Sequence, residues 1–491
     1  MTPLDHQIEH LSQLASQALA GTSAQASVDE ARRRLYEPLR VAIAGKVKAG
    51  KSTLLNALVS ERLAPTDAGE CTKIVTWYRD GSTYRVTMHP RAGDPRQLPF
   101  AREEGSLNID LKGMPTADVD HLEVEWPSSA LADMTLIDTP GIDSISTHLS
   151  DRTHEFLNPD DGSSPTDAVL YLMRHLHASD VRFLESFHDQ EASRPSAINS
   201  IGILSRADEI GVGRIDALGS ARRIAQRYGS DPKIRRLCQT VLPVAGLLAE
   251  TATTLRQDEF RLLRILAEAE RAEVDALMLT VDRFANAETD LSIAPIERAE
   301  LLDRFGIFGI RLSNALLRQG RATTSTELAK VLIDRSGLGE LRATLHSHLA
   351  ARSDILRARS ALLALDRIVS GVDGIDTRDF DVELERITSS VHEFAEVQLL
   401  NGLRSGYVTL SESDVQRAER LLGAAGGLAH QRLDADESTT AAELGRLALD
   451  QHSYWQRLSE NPLMSRDAAD AARVLTRTCE GLIAASHAAR V

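Results

Sequence analysis

An eight-residue run, Gly45-Lys46-Val47-Lys48-Ala49-Gly50-Lys51-Ser52, leaves this chain little freedom in how it can fold. It has the spacing G-x-x-x-x-G-K-S. It follows an apolar run, Leu39–Ala44, and precedes a helical stretch, Thr53–Val59. A strand, a loop and a helix in that order are what this motif requires. The glycines let the backbone curl so that its N–H groups face phosphate oxygens, and the helix N-terminus adds a favourable dipole. Lys51 would neutralise the β- and γ-phosphates, and the hydroxyl of Ser52 would ligate magnesium. Gly45, Lys48, Ala49, Gly50 and the helix-start Thr53 complete the expected cradle. A glycine-rich turn without a ligand is the plainer alternative, and the strand–loop–helix context weighs against it.

Three further stretches extend that reading. Met134–Ile137 is an apolar strand followed by Asp138-Thr-Pro-Gly141. A carboxylate at a strand end can hold magnesium through water, and a glycine there can sense the γ-phosphate. Ile201–Leu204 is another buried strand, ending in Ser205-Arg206-Ala207-Asp208. Guanine presents N1–H and N2–H2 on one edge, and the Asp208 carboxylate can accept both. Adenine offers no such pair. Ser205 and Arg206 stand where Asn or Thr and Lys are usual, so Ser205 would supply Thr-like hydrogen bonds and the stem of Arg206 would lie on the base. A capped helix start is the alternative at Asp208. Thr72 is the candidate for a loop that closes over magnesium and γ-phosphate, with Thr66 and Thr76 as rivals. The expected ligands are GTP or GDP with Mg2+, and Ser52, Thr72 and Asp138 are the metal candidates. Lys51, Thr72 and Lys48 are the catalytic candidates. No Gln follows Gly141, where Ile142 stands, so turnover in a lone monomer should be slow.

Bulk properties narrow the partners. The 491 residues exceed one ordinary core, so two or more domains are expected. A net charge of −15 argues against a nucleic-acid partner, which needs a broad basic face. It also leaves membrane contact to a local apolar or basic patch. Cys71, Cys238 and Cys479 follow no metal-ligand spacing. No signal peptide or membrane-spanning run is read, so a cytoplasmic protein is expected, with room for a peripheral place on the inner face of the plasma membrane.

From Leu39 to about residue 255, short apolar runs alternate with amphipathic stretches, the pattern of an α/β sheet. Strands are predicted at Leu39–Ala44, Lys73–Tyr78, Leu122–Trp126, Met134–Ile137, Val169–Met173, Ile201–Leu204 and Val241–Val244. Beyond 255 only helices are predicted, at about 258–284, 296–319, 325–350, 353–371, 377–402, 411–425, 436–459 and 465–488. The segment 377–402 would be about 40 Å long if continuous. The first 35 residues are also helical.

The four elements, Gly-Lys-Val-Lys-Ala-Gly-Lys-Ser, Cys71-Thr-Lys-Ile-Val-Thr76, Asp-Thr-Pro-Gly and Ser-Arg-Ala-Asp, stand in GTPase order between helical termini. Together with Leu301–Arg311 and Ser336–Arg342, they make the chain resemble the bacterial dynamin-like proteins. The resemblance implies an α/β P-loop GTPase domain, with a mixed sheet flanked by helices, plus an all-α helical-bundle stalk formed by both termini. The expected division is 1–35, helices joining the stalk; 36–350, the GTPase domain; and 351–491, the rest of the stalk. It further implies pairing of GTPase domains and nucleotide-driven membrane remodelling. The family's Gln and Ser are Val47 and Lys48 here, and Lys48 is the candidate for supplementary charge. A regulatory or scaffold GTPase serving a membrane-inserting dynamin-like paralogue is the second reading. An RNA-linked GTPase is disfavoured by the acidic balance. The turn carrying Leu403, Arg404, Tyr407 and Val408 is the expected lipid-contacting tip, with Leu421–Leu428 as another candidate.

Overall fold

The computed structural model describes residues 3–65, 74–103, 106–141, 166–177, 179–182, 184, 199–210, 216–406 and 408–488. Two N-terminal helices, α1 (Pro3–Ala18) and α2 (Gln25–Arg33), precede the sheet. Strand β1 (Leu39–Gly45) is buried at every position and leads through the phosphate loop into α3 (Lys51–Val59). The remaining strands are β2 (Val75–Arg79), β3 (Arg85–Pro90), β4 (Arg96–Gln97), β5 (Phe100–Glu103), β6 (Ser106–Ile109), β7 (Val119–Glu125), β8 (Met134–Asp138), β9 (Ala168–Met173), β10 (Ser200–Ser205) and β11 (Val241–Val244).

Nine strands form one sheet in the order β11-β10-β9-β1-β8-β2-β7-β3-β4, and β5 pairs with β6 apart from it. From β11 through β8 every pairing is parallel. β2 then runs antiparallel to β8, so the sheet is mixed. The parallel strands are buried on both faces and read as unbroken apolar runs, which made them legible in sequence. β3 alternates exposed and buried positions at the sheet's margin, and β4, β5 and β6 are two to four residues long; none of these four was predicted.

Several of the long predicted helices break; the 325–350 stretch parts at Gly337 into Ser325–Ser336 and Leu338–Thr344, and the 296–319 stretch kinks at Gly306. The 258–284 stretch becomes Gln257–Glu268, Arg271–Leu277 and Val281–Asn286, the last capped by the Thr280 side chain accepting from the Arg283 N–H. The 377–402 stretch becomes Arg378–Ser390 and His392–Ser405, parted at Val391, whose ψ of 111° is extended. The single 40 Å rod therefore does not form.

The N-terminal helices pack on helices that follow the sheet-bearing part of the chain. Ile8, Leu11, Ala15 and Val28 pack with Leu362, Leu365 and Phe380 of the helices Ser353–Ser370 and Arg378–Ser390. The later helices join a core that starts on one face of the sheet. It runs from Val41, Leu136 and Leu170 through Leu341 and Leu349 to Leu400, Leu421, Trp455 and Leu475.

The expected lipid tip lies inside this packing. Leu403 is buried, and Arg404 is buried beneath it, donating from Nη2 to the Gln239 carbonyl at 3.5 Å and facing Glu419 at 3.7 Å. Val408 packs on the same core, and Tyr407 lies outside the described residues. Leu421 and Leu422 are likewise buried. Turn-like sequence beside apolar residues marks a corner, and here the corner is seated on the sheet-bearing domain. Among the described residues no helix is long and apolar enough to cross a membrane.

Candidate functional site

The carboxyl ends of the parallel strands meet at the phosphate loop. Gly45 ends β1 with φ +148°, and a Cβ there would stand 2.5 Å from the Leu172 carbonyl oxygen, so only glycine fits. Lys48 takes the left-handed φ of +62° and lies exposed on the rim. Ala49 is buried under the loop, and Gly50 leads into α3, whose first residues are Lys51, Ser52 and Thr53.

Lys51 turns inward. Its Nζ donates to the carbonyls of Gly45 at 3.3 Å and Lys46 at 3.4 Å, so the ammonium sits in the curl of the loop. Burial lowers its pKa, and the nearby Asp138 charge opposes that shift. Asp138 ends β8. Its Oδ2 accepts from the Ser52 hydroxyl at 2.7 Å, while its Oδ1 is buried without a partner among the described residues. Burial raises the carboxyl above its usual range, against the pull of Lys51 and Ser52. A hard, oxygen-seeking cation suits an unpaired buried carboxylate oxygen beside a hydroxyl, so the residues present fit magnesium.

Thr139 anchors the segment after β8 by donating its N–H and hydroxyl to the Ile43 carbonyl at 3.4 and 3.0 Å. That brings Gly141 onto the phosphate loop, where a Cβ would stand 2.6 to 3.0 Å from atoms of Val47. Asn56 ties α3 to the chain beyond it. Its Oδ1 accepts from the Leu63 and Ala64 N–H groups, and its Nδ2 donates to Glu250 at 3.1 Å. The segment carrying Thr66 and Thr72 lies outside the described residues. The rival Thr76 is buried in β2, stands opposite Asp138 in the sheet and donates to the Ile74 carbonyl.

A cavity of about 130 Å³ adjoins the loop, lined by Ala49, Gly50, Thr53, Ser205, Arg206 and Asp208 among others. The Oδ1 of Asp208 and the Oγ of Ser205 are buried there without partners among the described residues. Burial raises the Asp208 carboxyl above its ordinary range. Three of the four motif elements thus meet at the phosphate loop, Asp138 through Ser52, Gly141 against Val47 and Asp208 through the cavity that Gly50 also lines, while Thr72 of the fourth lies outside the described residues.

Sequence reasoning missed the partner of Lys46. Its Nζ lies 3.1 Å from Oδ1 of Asp180, a buried carboxylate that also accepts from the Tyr171 hydroxyl at 2.9 Å and the His177 N–H at 2.8 Å. Lys46 therefore braces the outer wall of the loop. Their separation of 134 positions left no local signal.

A phosphate loop between β1 and α3, with acidic strand ends at Asp138 and Asp208 on a mixed sheet, defines a P-loop GTPase domain. The sequence model of the Dynamin family matches residues 41–207. The isoniazid-induced protein IniC of Mycobacterium tuberculosis is 42% identical over 463 residues, covering 94% of this chain and 93% of that protein. The bacterial dynamin-like protein of Nostoc punctiforme is 36% identical over 114 residues, 21% of this chain and 16% of that one. A solved chain from an oligomerised bacterial dynamin pair aligns at 14% identity with a TM-score of 0.29, covering 99% of this chain and 74% of that one, too low a score to carry weight. The chain belongs to the bacterial dynamin-like proteins.

Proposed function

We propose that this cleft binds GTP with Mg2+ and hydrolyses it to GDP. The observation that carries the proposal is a pair of carboxylates flanking the phosphate loop: Asp138, bonded to Ser52 at the start of α3, and Asp208, lining the cavity beside Gly50 and Thr53, each with a buried oxygen unpaired among the described residues. Lys51 would leave the carbonyls of Gly45 and Lys46 for the β- and γ-phosphates. Ser52, Asp138 and Thr72 would hold magnesium, whose charge offsets that developing on the phosphates. Asp208 would accept from guanine N1–H and N2–H2, with Ser205 and Arg206 beside the base. Gly141, pressed against Val47, would report the γ-phosphate, and Lys48 on the rim would supply further charge once a second GTPase domain docks.

The test is base choice. Wild type should bind GDP and discriminate strongly against ADP. Asp208→Asn should lose guanine affinity and gain affinity for xanthine nucleotides, whose 2-position is an acceptor. ADP bound as tightly as GDP would sink the reading.

The helices outside the GTPase domain would serve as a lever that couples nucleotide state to membrane remodelling. The chain enters the GTPase domain near Glu37 and leaves it near residues 350–352, and Arg357 Nη1 donates to the Glu37 carbonyl at 2.8 Å, tying the two crossings together. With Leu403 buried, the most exposed large apolar side chain among the described residues is Leu463, 92% exposed at the turn between the helices Ala441–Ser459 and Arg466–Ala488. Co-sedimentation with anionic liposomes, wild type against Leu463→Asp, separates two outcomes. Binding by wild type alone favours direct membrane action; no binding by either favours the service of a membrane-inserting paralogue.

A further inference from the structure

Glu209 follows Asp208, and none of the motif roles includes it. Its Oε1 accepts from Arg206 Nη1 at 2.5 Å, and its Oε2 accepts from Arg174 Nη2. Arg174 comes directly after β9 and Arg206 directly after β10, so one carboxylate joins the ends of neighbouring strands. Arg206 and Glu209 line both the 130 Å³ cavity and an adjoining one of about 420 Å³, so they form the partition between the two.

Arg206 also takes a left-handed φ of +52°, which a non-glycine residue adopts only when its contacts hold it there. The residue is itself a hazard. Two positions along the chain, Asp208 keeps a buried oxygen that is unpaired among the described residues. A free guanidinium carries five donors and pairs readily with a carboxylate. If it folded onto Asp208, it would occupy the acceptor that the base needs.

We propose that Glu209 is a positioning residue that keeps Asp208 open, by offering Arg206 and Arg174 a competing carboxylate at the rim of the cleft. The stem of Arg206 is then left standing as a wall of the base cleft. Lysine in this position has a compact ammonium and less need of a clamp; the arginine of this chain makes one useful. The inference rests on the reading of the cleft as a guanine site.

A purely electrostatic role for Glu209 predicts the opposite sign. Its negative charge, beside Asp208, raises the Asp208 carboxyl further, and the two arginines oppose that. Neutralising Glu209 would then ease ionisation of Asp208 and tighten binding. Arg174, Arg206 and Glu209 are 48%, 37% and 47% exposed. Loss of the exposed pairs alone therefore changes affinity by no more than about fivefold. Capture of Asp208 by Arg206 would cost more.

The experiment titrates full-length wild type, Glu209→Gln, Arg206→Met and the double variant with fluorescent N-methylanthraniloyl-GDP, with thermal melts run alongside. Glu209→Gln should weaken binding by roughly tenfold at an unchanged melting temperature. The double variant should bind within about twofold of Arg206→Met alone, since removing the competitor removes the need for the decoy. Unchanged or tighter binding by Glu209→Gln would overturn the proposal. So would effects of the two changes that simply multiply. Wild type binding the ADP analogue as tightly as the GDP analogue would instead defeat the guanine reading itself. Wild-type preference for GDP with an inert Glu209→Gln defeats only the clamp.

Discussion

The two edges of the parallel sheet bury charge in opposite ways. At the carboxyl ends of the strands, Asp138 and Asp208 each keep an oxygen unpaired among the described residues, and the Lys51 ammonium donates to backbone carbonyls with the Asp138 charge nearby. At the amino ends, Asp167 is saturated. Its Oδ1 accepts from Arg34 at 3.0 Å and its Oδ2 from the Arg40 N–H at 2.8 Å, and its own N–H donates to the Arg40 carbonyl at 2.8 Å. The first edge holds charge at a cost that a ligand can relieve, while the second uses charge to seat the N-terminal segment on the sheet. Spare bonding capacity therefore separates the site from the architecture better than burial does.

The largest effect should come from the ligand-facing edge. Lys51→Ala should cut GTP turnover by at least about a hundredfold, because the main neutraliser of the phosphates is gone. A single-turnover assay at saturating GTP reads it. Retained turnover would erase the distinction between the two edges.

The opposite edge should answer in stability instead. Leu403→Asp would put a carboxylate into the apolar core that Leu403 shares with Leu400 and Leu421. It should cost upwards of about 3 kcal/mol in denaturant unfolding. A stable Leu403→Asp variant that lost lipid binding would restore the tip reading that the packing overturned.

The sharpest contrast pairs two like substitutions. Asp167→Asn should lower the melting temperature, since Arg34 loses its buried partner. Asp208→Asn should leave the melting temperature unchanged or raised, because it removes a charge that burial disfavours. The two carboxylates of the ligand-facing edge also set a sign for pH. Asp138 and Asp208 have folded pKa values above their unfolded ones, so they bind protons more readily when folded. Their contribution to folding is fully present below the unfolded value of about 3.9 and is lost as pH rises through the raised folded value.

The smallest effect is expected among the C-terminal helices. Burial would raise the Glu396 carboxyl, but hydrogen bonds from His392, Thr478 and Arg432 and the charge of Arg432 bring it down from 4.5 to about 2. Its contribution is present above about 4.5 and lost as pH falls toward 2. Glu396→Gln should therefore flatten the acid limb of a stability–pH profile over that interval, read by denaturant titration at each pH.

Sequence alone determined what depends on neighbours along the chain. The phosphate loop, the acidic strand ends and the apolar parallel strands were all legible, because backbone curvature, strand-end placement and two-sided burial each leave a pattern within a few residues. Helix breaks such as Val391 and the short strands β4 to β6 were not, since both are settled by what packs against them. Tertiary structure alone decided which charges meet. Lys46 found Asp180 across 134 positions, Arg34 found Asp167 across 133, and Arg404 found Gln239 across 165. It also sank Leu403 into the core, although its sequence looks like an exposed turn. Hydrophobic burial and ion pairing act through space, and no spacing along the chain encodes which distant surfaces the fold will bring together.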